Sequence, residues 1–193
     1  MIKVGKYTFQ DIRSFPGMEY PGYTVTIAVG RDRFATFTDY GNGGEPEPRP
    51  SFILGDIRNE RWKAMTKEFV EFAESHVQKR PEDKELGIPE HEGDTELFII
   101  TALAWNDIEG KVRQYLRRYP GLKYTGVLLR DGIPEAISML AENNIRKAAK
   151  TLLQDEKDIS NLSVALMPLP TWNFRDGLVY GTPARELIGE LNG

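Results

Sequence analysis

The chain contains no cysteine. Disulfides, thiolate nucleophiles and cysteine-ligated zinc are therefore excluded, and a reducing compartment suits the composition. Histidine is almost as scarce, with only His76 and His91 available for imidazole chemistry. Long apolar runs are missing too. Stretches such as Leu97 to Ile100 are far shorter than the roughly 20 residues a membrane-spanning helix needs. The opening residues MIKVGKYTFQ lack the apolar segment of a secretory signal. A cytoplasmic protein with no membrane partner is expected. Charge of one sign is not in excess: the net charge is −4. That excludes a histone-like polycation and is too mild for an acidic mimic of DNA. The Walker A, G-x-G-x-x-G, G-x-S-x-G and H-E-x-x-H spacings do not occur. No cofactor and no metal centre are expected.

What the chain does have is an ordinary globular balance, 40% hydrophobic and 28% charged residues over a length of 193. This suits a single domain spanning 1–193. Its most structured signal lies between Tyr23 and Gly44. Val25, Ile27 and Val29 alternate with Thr24, Thr26 and Ala28, and Phe34 and Phe37 follow among Ala35, Thr36 and Thr38. Alternating β-branched and aromatic residues predict a hairpin with Gly30 to Arg33 at its exposed turn. Val4 to Phe15 reads as a strand before it. Residues 41–50 are too rich in proline and glycine for a helix or a central strand and read as a loop.

Helical spacing begins at residue 60. Trp62, Met65, Phe69, Phe72 and His76 form an apolar stripe over 60–79, with Glu60, Lys67, Glu71 and Glu74 opposite. Residues 81–96 are acidic and broken by proline and glycine, a linker between possible sub-regions 1–80 and 97–193. A second helix is expected from Leu97 to Tyr119, its stripe carried by Trp105, Ile108, Val112, Tyr115 and Tyr119; its start, LFIITALAW, suits a buried strand equally well. A short strand follows at Tyr124 to Leu129. Pro134 then predicts the first turn of a third helix reaching Gln154. Leu162 to Leu166 reads as a strand, and Thr182-Pro183 as the start of a last helix. The expected fold is α+β, an N-terminal antiparallel sheet followed by a mainly helical C-terminal part.

Four features could carry function. Asp39, Gly41, Asn42, Gly43 and Gly44 form a loop whose backbone N–H groups could converge on a small anionic ligand or nucleotide. Lys111, Arg113, Arg117 and Arg118, interleaved with tyrosines, could track nucleic acid. The wheel counts against that, because it turns Tyr115 and Tyr119 into the apolar stripe and leaves the cations as solvated arms. Glu90-His91-Glu92-Gly93-Asp94 with Glu96 matches no metal-ligand spacing. His76 sits inside a helical stripe and reads as a hydrogen-bonded core-edge residue.

The segment Ala28 to Gly44, a hairpin with a polar turn and then Asp-Tyr-Gly-Asn-Gly-Gly, resembles a pattern in short uncharacterised proteins of bacteriophages and other mobile elements. The resemblance implies an accessory protein of such an element, and no catalytic residue comes with it. The function expected first is therefore a non-enzymatic binding protein, an accessory or counter-defence factor acting on a host protein. Ligand binding by the 39–44 loop comes second, and nucleic-acid binding by 111–130 third.

Overall fold

The computed structural model describes residues 2–19, 21–42, 47–50, 56–76, 95–169 and 181–191. The chain forms two compact units, the first reaching Ile99 and the second beginning at Ile100.

The first unit is built on a five-stranded antiparallel meander: β1 (Ile2–Val4), β2 (Tyr7–Phe15), β3 (Gly22–Val29), β4 (Asp32–Asp39) and β5 (Glu47–Pro50), adjacent in chain order. The predicted hairpin is β3 and β4, turning at Gly30 and Arg31, with Val25 and Ile27 fully buried and Arg31 to Arg33 exposed. A bulge at Phe34 pairs Ile27 with Ala35 but Ala28 with Arg33. That extra residue brings Phe34 onto the same face as Phe37, which strict alternation would forbid. Helix α1 (Asp56–His76) lies on this face, where Phe69 packs against Tyr7, Phe9, Phe34 and Phe37. The opposite face carries Thr8, Thr24, Thr26, Thr36 and Thr38, with the Thr26 and Thr36 hydroxyls 3.1 Å apart across the strands. The expected loop at 41–50 is corrected in its second half. Glu47 to Pro50 pairs with β4 as an edge strand, a position that tolerates proline.

In the second unit, β6 (Tyr124–Arg130), β7 (Ile133–Leu140), β8 (Leu162–Pro168) and β9 (Thr182–Pro183) form an antiparallel sheet in the order β7-β6-β8-β9. Helix α2 (Thr95–Arg118), whose first residues belong to the first unit, covers one face through Trp105, Ile108 and Val112 against Val127, Leu129, Ala165 and Met167. Helices α3 (Ile145–Leu153) and α4 (Ala184–Leu191) cover the other face through Ala148, Ala149, Leu153, Ala184 and Leu187 against Leu128, Leu162 and Val164. Covered on both faces, β6 reads as an almost continuous buried run.

The mainly helical C-terminal part is thus corrected: strands also form much of it. The error centres on Pro134. Asp131 (φ 51°) and Gly132 (φ 82°) make a tight left-handed turn that reverses the chain into a hairpin. β7 is an edge strand, so the missing N–H of Pro134 costs no central ladder bond. A bulge beside Pro134 displaces Glu135 to reach Arg130 at 2.9 Å. Only α3 survives of the expected helix, capped by the Asn144 side chain, which accepts from the Lys147 N–H at 2.9 Å. The start of α2, readable as strand, is helix. Thr182-Pro183 pairs with Val164 and Ser163 instead of opening α4.

Gly126 is where α3 comes closest to the sheet. A Cβ built there would stand 2.5 Å from the Ala148 Cβ. Neither atom can move without its backbone, so Gly126→Ala should destabilise by about 1–3 kcal/mol in urea unfolding. Adding Ala148→Gly should restore part of the loss. A single variant of wild-type stability would mean that α3 is free to shift.

Candidate functional site

The exposed face of α2 near its C-terminal end carries two exposed tyrosines among basic residues. Its geometry overturns one expectation. The side chains that α2 sends to the sheet are Trp105, Ile108, Val112 and, partly buried, Leu116. Successive helical residues turn by about 100°. Burying Leu116 therefore leaves Tyr115 at the edge of the stripe, and Tyr119 falls beyond the end of the helix. Both tyrosines are exposed, at 46% and 57%, and their rings lie nearly parallel with centroids 6.5 Å apart. The backbone N–H of Tyr119 donates to the Tyr115 carbonyl at 2.8 Å and continues the last turn.

The cations around this pair divide into two groups. Lys111 reaches Asp107 at 2.7 Å and Arg113 pairs with Glu109, so one turn of basic residues is balanced within the helix itself. Arg117, Arg118 and Lys123 make no ion pair among the described residues. Arg118 follows Tyr115 by three positions, so it stands beside the tyrosine stack. Lys123 is held by its backbone, which donates to the Leu140 carbonyl at 2.9 Å and accepts from the Leu169 N–H at 2.7 Å. The carbonyl end of a helix carries about half a negative charge. Three uncompensated cations exceed that severalfold, so the patch is net positive. Arg130, also in the basic segment, is not part of it. Glu135 and Glu156 bind its guanidinium and raise its pKa further, which fixes it as a link between strand and loop.

The glycine loop offers a different chemistry from the one its sequence suggests. Asp39 is only 1% exposed, and its Oδ1 accepts the Gly41 N–H at 2.7 Å. Gly41 takes φ 66° to close this turn. The N–H that would have contributed to an anion nest is thus engaged by the protein's own carboxylate. Asn42 is exposed, while Gly43 and Gly44 lie outside the described residues. The two groups of site residues proposed from sequence belong to different units and do not meet within either.

His76 is half-buried, its Nδ1 2.8 Å from the Phe72 carbonyl and its ring stacked on Phe72 at 3.9 Å. The acidic run 90–94 lies outside the described residues. Among the described residues no three acidic, histidine or cysteine side chains cluster as a metal site would require, and no helix is long and apolar enough to cross a membrane. The chain matches no known protein family, no curated protein and no solved structure.

Proposed function

We propose that this chain is a non-enzymatic binding protein that takes single-stranded nucleic acid on the C-terminal end of α2. The observation that carries the reading is the exposed Tyr115–Tyr119 stack with the uncompensated Arg118 beside it and the uncompensated Arg117 and Lys123 close by in the chain. Bases present an aromatic face whatever their sequence, and tyrosine rings at a surface provide the matching platform. The cations supply the attraction to phosphates, which is independent of sequence. Such a site favours unpaired strands, because a duplex keeps its base faces stacked inside.

Fluorescence anisotropy with labelled oligothymidylate and oligouridylate tests the reading. Three phosphate contacts predict a log Kd against log salt slope of about 2, from roughly 0.7 per contact on single strands. Tyr119→Ala should weaken binding by about 1–3 kcal/mol, roughly 5- to 150-fold. Its ring is exposed, so the melting temperature should stay within a degree or two of wild type. Arg118→Ala should lower affinity and reduce the slope by about 0.7. Absence of binding at 50 mM salt, or full affinity in Tyr119→Ala, would reject the site.

A further inference from the structure

A concavity lies on the first unit, between the β3–β4 turn and α1. Its volume is about 300 Å³, and Arg31, Asp32, Arg33 and Phe34 from the hairpin face Arg61, Trp62 and Met65 from the helix. Three guanidinium groups and the Asp32 carboxyl line it, and Asp11, paired with Arg33, offsets a second of the three charges. Asp32 bridges the two elements, its Oδ2 2.6 Å from Arg61 Nη2. Arg33 is aimed by Asp11 at 3.1 Å and by the Gln10 Oε1 at 3.0 Å. Arg31 has no partner among the described residues.

Trp62 lines the cleft beside these arginines, its indole Nε1 buried away from solvent. Each guanidinium offers five N–H groups, of which the ion pairs engage one or two. The pairs themselves are exposed and worth little, so an incoming oxyanion can share or replace them. Phe34 and Met65 supply an apolar floor.

We propose that this cleft binds a small ligand bearing an oxyanion, carboxylate or phosphate, gripped by Arg31, Arg33 and Arg61. The hairpin turn is then a working element, since it presents two of the three arginines. The site is on the first unit and uses none of the residues of the tyrosine platform, so the two can fail separately.

Calorimetric titration of the full chain with pyrophosphate and with citrate, at constant ionic strength, tests the proposal. Saturable binding of at least one probe in the millimolar range or tighter is expected. Response to pyrophosphate alone assigns the cleft to phosphate ligands, and response to citrate alone assigns it to carboxylates. Arg31→Ala and Arg61→Met should each weaken binding at least tenfold. Arg31 has no partner to lose, so its variant keeps the wild-type melting temperature and carries the test even if Arg61→Met is destabilised. No saturable heat from either probe, or wild-type affinity in Arg31→Ala, would overturn the proposal.

Discussion

Replacing Phe69 by alanine should remove about 3–5 kcal/mol of folding free energy. Phe69 is fully buried and stands at the centre of the aromatic core of the first unit. Its ring lies 5.0 Å from Tyr7, 5.3 Å from Phe37 and 6.0 Å from Phe98, so two strands and the start of α2 converge on it. Removing the ring strands all of these edges around one cavity. The neighbours are themselves large and interlocked, which limits collapse into the space. Against a typical domain stability of about 5–15 kcal/mol this is a large share. Urea unfolding monitored by far-ultraviolet dichroism provides the measurement, with Phe69→Leu expected to lose less. A loss under about 1 kcal/mol in Phe69→Ala would mean that the ring does not hold α1 to the sheet.

Trp105→Ala should cost the second unit a similar 3–5 kcal/mol. Trp105 is fully buried in the cluster with Ile108, Val112, Val127, Leu129, Ala165 and Met167. This cluster lies between α2 and one face of the sheet, so loss of the indole loosens the helix that carries the proposed nucleic-acid platform. Trp105→Phe should retain about half of the stability or more. The consequence for binding is specific: oligonucleotide affinity should fall with Trp105→Ala at temperatures where the variant begins to melt, and recover on cooling. Equal stability of Trp105→Ala and wild type would show that α2 is held elsewhere.

The first unit was the more legible one, for reasons that lie in particular residues. Val25 and Ile27 alternate with threonines because one sheet face meets α1 and the other does not, and that contrast is written in the side chains. The stripe of α1 is similarly one-sided, with Phe69 and Ala73 buried and Glu60, Lys67, Glu71 and Glu74 exposed. In the second unit the sheet is covered on both faces and its strands carry less contrast. Pro134 fits the first turn of a helix and an edge strand equally well, and only the pairing of β7 with β6 alone decides between them. Tyr115 and Tyr119 have the spacing of core residues. Whether they meet a sheet depends on where the sheet ends. The hairpin cleft had no local signal, because its arginines lie on two elements separated by the rest of β4, by β5 and by the start of α1.

The sequence by itself determined the kind of protein this is: a cysteine-free α+β chain whose elements announce themselves wherever one side is apolar and the other polar. It also determined the chemistry on offer, rich in arginine and tyrosine and poor in histidine. Tertiary structure decided which of those groups are available. It folded the Asp39 carboxylate onto the Gly41 N–H, balanced Lys111 and Arg113 within their own helix, and left the tyrosine pair uncovered beside Arg118. The physical reason is that periodicity records which side of an element is buried, a local property. Exposure at an element's end and the meeting of charges from distant strands depend on lengths and contacts that no single segment contains.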